Sequence, residues 1–345
     1  MTSMPQQGTL DTAALTAWMQ AHVQGFQGPL TWMKFAGGQS NPTFRLTTPG
    51  RHYVLRRKPL GPLLPSAHAV EREYRLLAAL HPTGFPVPRP YGLCEDMDVL
   101  GAAFYIMEMV EGRIFWDGTL PDRTPAQRGA LYGSMVSNLA ALHAIDPAAV
   151  GLDDFGKPGN FFERQVARWI RQYRAAQTDD IAEMESLIDW LPRAVPQPSG
   201  TSILHGDYRI DNLVLAQGEA RVATVLDWEL ATLGDPLADL TYLLVNWLMP
   251  MDGGAGLEGL DLTAAGIPSI DTVLHLYATA TGRPVPDRLH WYFAFNLFRL
   301  AGITQGIRKR LLAGTASSDA AERTAAKTLP LARTAWAQAR LAGAA

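Results

Sequence analysis

The chain has 345 residues, 47% of them hydrophobic, and 30 Lys/Arg against 33 Asp/Glu residues give a formal net charge of −3. This balance gives no reason to expect nucleic acid or an anionic membrane as a partner, and a single cysteine, Cys94, excludes an intrachain disulfide and a cysteine-based metal site. No signal peptide and no uncharged apolar run of the ~18 residues that span a membrane is evident. We therefore expect a soluble cytoplasmic protein, large enough for two domains or one bilobal unit.

The N-terminal part of the chain is predicted to contain both helices and strands. Apolar residues recur at helical spacing from residue 11 to 23, and Asp11 is placed to cap that helix. A second helix is predicted at residues 67–80. Strand-like runs lie at residues 30–35, 43–47, 53–57 and 102–110.

A glycine-rich turn separates the first two of these runs. Its sequence is Gly37-Gly38-Gln39-Ser40-Asn41. Because the two glycines remove side-chain bulk, backbone N–H groups of this turn can approach phosphate oxygens closely. An ordinary hairpin connection is the alternative, so the phosphate-binding interpretation depends on the motifs that follow.

Residues from about 113 onward are predicted to be mainly helical. Thr124-Pro125-Ala126-Gln127 is a capping box with proline at the first helical position, and it predicts a helix that runs to about residue 145. The richest apolar run, at residues 291–303, contains one charged residue, Arg299. Other helices are predicted at residues 240–248, 270–281, 287–312 and 320–341.

One predicted helix is rich in arginine. Asn160 is placed to cap it, and its apolar residues are interleaved with Arg164, Arg168, Arg171 and Arg174. This pattern fits a helix that borders a substrate pocket with a cationic face. It fits an amphipathic surface helix equally well.

The most informative stretch is His205-Gly206-Asp207-Tyr208-Arg209-Ile210-Asp211-Asn212, which is followed by Val225-Leu226-Asp227-Trp228-Glu229. Apolar residues flank the first segment, so a loop with fixed ends can present Asp207 and Asn212 to one point. A carboxylate placed in this way can accept the proton of a substrate hydroxyl. An amide and a second carboxylate supply oxygen ligands that Mg²⁺ prefers. The pattern predicts a phosphoryl-transfer centre with Asp207 as the base and with Asn212 and Asp227 as magnesium ligands.

These motifs resemble those of a known family. HGDYRIDN resembles the protein-kinase catalytic loop in the H-G-D form found in aminoglycoside and choline phosphotransferases, and VLDWE resembles their counterpart of the kinase D-F-G segment. The run LDWELATLGDPLADL at residues 226–240 resembles a subgroup that stands alone in bacteria and is fused to acyl-CoA dehydrogenases in animals. The likeness extends from about residue 37 to residue 240.

The resemblance implies an α+β, bilobal, protein-kinase-like fold. Residues 1–107 would form a small N-lobe with an antiparallel sheet and a helix, and residues 108–112 would form the hinge. Residues 113–345 would form a larger, mainly helical C-lobe with the catalytic loop and the substrate pocket.

The same resemblance implies an ATP site. The glycine-rich turn would bind phosphates, and backbone groups near Glu108 and Val110 would bind adenine. Arg56 matches the position of the kinase lysine, with Glu73 as its helix partner, and Arg209 matches a lysine that touches the γ-phosphate. Lys58 is an alternative to Arg56, residues 56–58 could instead form a solvated basic cluster, and GTP could replace ATP.

The expected function is transfer of the ATP γ-phosphoryl group to a hydroxyl, assisted by Mg²⁺. Residues 296–345 hold eight Lys/Arg against two Asp/Glu, which favours an anionic or neutral acceptor over an aminoglycoside. The resemblance to dehydrogenase-fused proteins suggests a hydroxyacyl-CoA or a hydroxy acid and a link to an acyl-CoA dehydrogenase. A kinase for aminoglycosides, amino alcohols or sugars and a nucleotide-binding pseudokinase are the alternatives. A metal-dependent phosphoesterase would need further histidine motifs that the sequence lacks.

Overall fold

The computed structural model describes residues 8–35, 41–61, 68–157, 159–252, 254–284, 289–315 and 319–345. The chain forms two compact units. The glycine-rich turn residues Gly37, Gly38, Gln39 and Ser40 lie outside the described residues. The first unit comprises Met1–Ile114, Val150–Leu152 and Asn212–Ala231, and the second comprises Phe115–Ala149, Asp153–Asp211 and Thr232–Ala345.

A five-stranded antiparallel sheet is the framework of the first unit. Its strands are β1 (Thr31–Lys34), β2 (Thr43–Thr47), β3 (His52–Arg57), β4 (Pro90–Cys94) and β5 (Phe104–Glu108). They lie in the order β1-β2-β3-β5-β4. This sheet confirms the predicted fold class. The sequence did not predict β4, because Pro90 and Gly92 interrupt its pattern and its pairing with β5 is irregular between them.

Helices pack on both faces of this sheet. On one face, Trp18 lies edge to face with Phe104 in an apolar core, with ring centres 4.9 Å apart. On the other face, Glu73 of a second helix meets side chains of the sheet. The predicted cap at Asp11 is confirmed, since its carboxylate accepts N–H groups of the first helical turn. The helices of this unit are α1 (Thr12–His22), α2 (Val70–Leu80) and α3 (Met97–Leu100).

Arg57 shows that the basic residues of β3 do not form a solvated cluster, so that interpretation is wrong. Its side chain is 0% exposed on the α1 face of the sheet. The guanidinium donates to the carbonyl oxygens of Leu100 and Thr9 at 3.2 and 3.3 Å. It also lies 5.7 Å from the ring centre of Phe44. Alternation along β3 therefore sends Arg56 and Arg57 to opposite faces.

A short hairpin from later in the chain belongs to the first unit. It consists of β7 (Leu213–Leu215) and β8 (Val222–Val225), which pair antiparallel. Backbone hydrogen bonds of 2.9 Å in both directions join Leu215 to Arg113, and Val225 donates to the carbonyl oxygen of Pro86 at 2.8 Å. These bonds fix the segments that flank the hairpin, which contain Asn212 and Asp227.

The second unit is mainly helical, as predicted. The capping box is confirmed, because the Thr124 side chain and the Gln127 side chain each bond to the other residue's backbone N–H. The strands β6 (Ser202–Leu204) and β9 (Thr232–Gly234) pair antiparallel. The helices are α4 (Pro125–Ala144), α5 (Phe161–Ala176), α6 (Ala182–Trp190), α7 (Leu237–Leu244), α8 (Leu262–Ala265), α9 (Ile270–Thr281), α10 (Leu289–Leu312), α11 (Asp319–Ala326) and α12 (Thr328–Leu341).

Helix α10 is the central element of this unit. Its buried aromatic residues surround Phe162 of α5, whose ring centre lies 5.1–5.6 Å from those of Trp291, Tyr292 and Phe295. Such edge-to-face packing adds to the stabilisation from buried apolar area. Among the described ranges, none of the helices combines the length and the hydropathy needed to traverse a lipid bilayer.

The C-terminal segment differs from its prediction. A single helix was expected at residues 320–341, but the structure ends α11 at Ala326 and begins α12 at Thr328. The buried hydroxyl of Thr328 lies 2.8 Å from the Thr304 hydroxyl and 3.0 Å from the Ala325 carbonyl oxygen. A tertiary hydrogen bond thus accompanies the break, and the alanine-rich pattern gives no sign of it.

Candidate active site

A network of ion pairs centred on Arg56 lies in the first unit. The Arg56 guanidinium is 3.1 Å from Glu73 of α2 and 3.2 Å from Asp227. A third carboxylate, Glu229, lies 4.0 Å away. Burial opposes the charge of Arg56, but interactions with Tyr105 and with these carboxylates outweigh that effect and raise its pKa. Arg56 is therefore a permanent cation surrounded by acids.

Glu73 is the most buried carboxylate of this network. Its oxygens accept hydrogen bonds from the Asn41 amide and from the Tyr105 hydroxyl, each at 3.0 Å. Burial raises the pKa of Glu73 to about 7, although Arg56 and Tyr105 act in the opposite direction. Asn41, which the sequence assigned to phosphate binding, is itself buried and ties the end of the glycine-rich turn to α2 through Glu73.

Asp227 lies at a sharp turn after β8. Its backbone is left-handed, with φ 62° and ψ 64°, and a 3₁₀ turn, Trp228–Leu230, follows. Trp228 is buried and its indole N–H donates to the Val225 carbonyl oxygen at 3.0 Å. A non-glycine residue in this conformation requires support from its surroundings. The anchored indole provides that support and leaves the Asp227 side chain 39% exposed.

Asn212 and Asp227 lie at the same end of the β7–β8 hairpin. The Leu226 N–H donates to the Asn212 carbonyl oxygen at 2.8 Å, so the residue before Asp227 is paired with Asn212. No cluster of three or more His, Cys, Asp or Glu side chains suited to a metal occurs within the described ranges. One carboxylate and one amide are nevertheless a donor set that fits Mg²⁺, which keeps several waters as ligands.

The other residues predicted to bind nucleotide are placed as follows. Lys58 pairs with Glu71, so Arg56 is the basic residue that contacts Glu73 and Asp227. Glu108 ends β5, and its N–H donates to the Arg89 carbonyl oxygen at 2.8 Å. Val110 follows β5 and is half-buried.

Asp207 and Arg209 lie together in the second unit. The Arg209 guanidinium is 3.4 Å from the Asp207 carboxylate and 2.8 Å from that of Asp211. The buried Tyr208 between them donates to the Met135 carbonyl oxygen at 2.8 Å and anchors the loop to α4. Arg209 thus carries a charge beside the candidate base.

Asp239 of α7 holds the start of this loop. Its buried carboxylate accepts the N–H groups of His205 and Gly206 at 2.6 and 2.9 Å, and it lies 3.5 Å from His143. Burial alone would raise the pKa of Asp239, but the His143 contact, the two imidazoles and the Gly206 N–H hold it below its usual range. Asp235 has a similar role nearby, accepting both the N–H and the hydroxyl of Ser199.

We expect Asp239→Asn to lower the free energy of unfolding by about 3 kcal/mol at pH 7, because a buried, hydrogen-bonded charge is lost. The folded pKa of Asp239 is depressed, so its contribution is present above the unfolded pKa of about 3.9 and is lost as pH falls through the folded value. Urea unfolding from pH 7 to pH 2 should show a constant stability difference down to about pH 4 and convergence of the two proteins below it.

Asp261→Asn is the control for this substitution, because Asp261 is the exposed N-cap of helix α8. Asp261 accepts the Ala264 N–H at 3.0 Å, and asparagine caps helices as well as aspartate does. Its effect should be a few tenths of a kcal/mol at every pH. A constant stability difference between wild type and Asp239→Asn across the pH range would contradict a charge-based role for Asp239.

Two residues beside the loop were not assigned to the site from sequence. The buried Tyr242 of α7 is hydrogen-bonded to the Asp207 carboxylate, and burial together with that charge raises the pKa of the phenol. Arg299 of α10 donates to the Gly206 carbonyl oxygen at 2.8 Å. A single charge inside the richest apolar run was a signal for Arg299, whereas Tyr242 had none.

The chain is similar to known phosphotransferases. A family model described as the phosphotransferase enzyme family (APH) matches residues 31–303. The sequence is 44% identical over 311 residues to acyl-CoA dehydrogenase family member 10 of Mus musculus and 38% identical over 334 residues to member 11 of Homo sapiens. These alignments cover 90% and 95% of the chain, but it spans only 29% and 43% of the length of those relatives.

Solved structures show the same fold. A Ralstonia eutropha protein described as a candidate aminoglycoside phosphotransferase is 49% identical, with a TM-score of 0.89, and the match covers 96% of this chain and 99% of that one. Choline kinase from Cryptosporidium parvum has a TM-score of 0.68 at 10% identity, covering 96% and 97% of the two chains. The second match concerns the fold alone.

Proposed function

The chain belongs to the phosphotransferase enzyme family, and on that premise we propose that it transfers the γ-phosphoryl group of ATP to a hydroxyl of a small molecule. The observation that carries the proposal is the Arg56 network, in which one guanidinium contacts Glu73 and Asp227 at 3.1 and 3.2 Å. A partly exposed carboxylate beside a fixed guanidinium suits a polyphosphate with its cation. A structure of an aminoglycoside phosphotransferase with AMP-PNP and hygromycin B, which shares the fold, is consistent with ATP as the donor.

In the proposed reaction, Asp207 accepts the proton of the acceptor hydroxyl. At the same time, the oxygen of that hydroxyl forms a bond to the γ-phosphorus. The bond from that phosphorus to the bridging oxygen of ADP breaks. Arg209, 3.4 Å from Asp207, balances negative charge near the transferred group. Asp239 and Arg299 fix the loop backbone on either side of Gly206 and so hold Asp207 in place.

Asn212 and Asp227 are the residues that would hold Mg²⁺, which when bound neutralises charge on the phosphate oxygens. Arg56 remains charged at any working pH and would bind phosphate oxygens directly. Glu73 contacts Arg56 and accepts the Tyr105 hydroxyl, and Tyr105 is the cross-strand neighbour of Arg56, so both side chains restrict the rotamer of Arg56. Glu108 and Val110 are the proposed adenine contacts.

The acceptor that we favour is a hydroxyacyl-CoA or a related hydroxy acid. The relatives named as acyl-CoA dehydrogenases are longer proteins, and this chain aligns with only part of each. A phosphotransferase that works beside an acyl-CoA dehydrogenase would act on acyl groups, and those acyl groups would need a hydroxyl to accept the phosphoryl group. Aminoglycosides and amino alcohols are the alternative acceptors, because phosphotransferases named for them share the fold.

The test is ATP consumption with Mg²⁺ against 3- and 4-hydroxyacyl-CoAs, free hydroxy acids, choline-like amino alcohols and kanamycin-type aminoglycosides. Phosphorylated product identified by mass spectrometry, with stoichiometric ADP, would support the proposal and name the acceptor class. ATP binding without product in any reaction would favour the pseudokinase alternative.

A further inference from the structure

Two arginines and two aromatic side chains form a cluster in the second unit. The guanidinium carbon of Arg299 lies 4.7 Å from the ring centre of Tyr242 and 5.4 Å from that of Trp169. The guanidinium carbon of Arg168 lies 5.7 Å from the same Trp169 ring. Helices α5, α7 and α10 each contribute to this arginine–aromatic cluster. A guanidinium held against ring faces is restricted in orientation while its charge is retained.

The cluster is next to the proposed base. Arg299 donates to the carbonyl oxygen of Gly206, the residue before Asp207, at 2.8 Å. Tyr242, whose ring Arg299 covers, is hydrogen-bonded to the Asp207 carboxylate. An acceptor hydroxyl bound at Asp207 would therefore lie beside Tyr242 and Arg299.

A third arginine, Arg171, stands three residues after Arg168 on α5, so the two side chains are neighbours on one face of that helix. Within the described part of the chain, neither Arg168, Arg171 nor Arg299 forms an ion pair with a carboxylate. Partial burial and the charges of Arg299 and Arg171 lower the pKa of Arg168. The Nε of Arg299 is enclosed and has no hydrogen-bond partner among the described residues.

The other arginines of α5 behave differently. Arg174, in the last turn of the same helix, makes two contacts with the Glu185 carboxylate and is neutralised by it. Arg164 donates to the Lys157 carbonyl oxygen at 2.9 Å. Like charges without counter-ions raise the free energy of a folded protein and create a potential that attracts anions. The cluster of arginines beside Asp207 therefore favours the binding of an anionic ligand.

We propose that Arg168, Arg171 and Arg299 form a binding site for an anionic group of the hydroxyl-bearing acceptor, either a carboxylate or a phosphate. This inference rests on the proposed function, because it identifies the bound anion as part of the acceptor. A guanidinium binds either group through two parallel N–H donors. A polycationic acceptor is disfavoured by repulsion and because Arg299 already covers the aromatic faces that would attract a cation.

Isothermal titration calorimetry without nucleotide tests the site independently of turnover. The probes are 4-hydroxybutyrate, 4-hydroxybutyryl-CoA, the neutral 1,4-butanediol and kanamycin. We expect at least one anionic probe to bind the wild type, and Arg168→Gln/Arg171→Gln to weaken that binding at least tenfold. Loss for 4-hydroxybutyrate identifies a carboxylate as the bound group, and loss for the CoA thioester alone identifies a phosphate.

Arg174→Gln is the matched control, since it removes a neutralised arginine from the same helix and should leave the affinities unchanged. Both Arg168 and Arg171 are exposed, so the double substitution should not prevent folding. Unchanged binding of the anions in the double variant would overturn the proposal, as would preferential binding of butanediol or kanamycin or no binding of either anion. The phosphoryl-transfer proposal fails separately: in that case the anion binds, but no phosphorylated product forms.

Discussion

Replacing Asp207 with asparagine is expected to lower kcat by about 10²–10⁴-fold, because the side chain keeps its shape but no longer accepts the proton of the acceptor hydroxyl. The loop should stay in place, because its backbone is held by Asp239 and Arg299 and not by the Asp207 carboxylate. We therefore expect the KM for ATP to change only a few-fold and the ATP-induced rise in Tm to remain. Initial rates on the acceptor that the panel identifies provide the measurement.

Asp211→Asn is the companion substitution. Asp211 contacts Arg209 at 2.8 Å, whereas Asp207 contacts it at 3.4 Å, so both variants loosen the same guanidinium. Only the Asp207 variant removes the base. The Asp211 variant should lose much less activity, and equal losses would indicate that the position of Arg209 matters rather than proton transfer. Undiminished turnover by Asp207→Asn would refute its role as the base.

Local sequence patterns specify part of this fold and of the candidate site. The cap at Asp11, the capping box at Thr124 and the alternation along β3 depend on neighbours a few residues apart, and all were predictable. The spacing of Asp207 and Asn212 placed both on one loop, and the Leu226–Asp227 run placed the second carboxylate after a strand. These features follow from short-range rules.

The unpredicted features depend on long-range packing. Arg57 is enclosed because α1 and α3 cover its face of the sheet, and no residue beside it in the chain indicates this. Tyr105 donates to Glu73 across 32 residues, and Arg299 reaches Gly206 across 93. The hairpin that contains Asn212 and Asp227 at its ends joins the first unit through hydrogen bonds to residues 86 and 113. Such pairs leave no periodic trace in a single sequence.

These long-range pairs give the two units distinct chemical characters. In the first unit, one arginine is shared by several carboxylates, which suits the binding of phosphate together with a cation. In the second, Arg168 and Arg299, which form no ion pair with a carboxylate among the described residues, belong to the cluster beside the proposed base. The proposed donor and acceptor sites therefore differ in charge, and substitutions in each should affect different kinetic constants. Arg56 variants should affect ATP, and Arg168 variants should affect the acceptor.

The role of Arg56 can be separated into stability and nucleotide binding. We expect Arg56→Met to lower the free energy of unfolding by about 3–5 kcal/mol, because buried Glu73 loses its cation. The loss should increase with pH. Burial already raises the pKa of Glu73 to about 7, and removing Arg56 raises it further. A carboxyl group with a raised folded pKa stabilises most below its unfolded pKa, near 4.3, and progressively less as pH rises toward the folded value.

The double variant Arg56→Met/Glu73→Gln distinguishes the two roles. Removing the buried charge together with its partner should recover most of the lost stability and flatten its pH dependence, as judged by urea unfolding between pH 5 and pH 8. ATP affinity should not recover, and we expect it to stay about 10- to 100-fold below wild type, since charge-assisted contacts to phosphate are gone. Lys58→Met, which removes a half-buried pair with Glu71, should change stability by about 1 kcal/mol and leave ATP binding intact. If Lys58→Met instead abolished ATP binding and Arg56→Met did not, Lys58 would be the phosphate-binding cation and the Arg56 network would be structural.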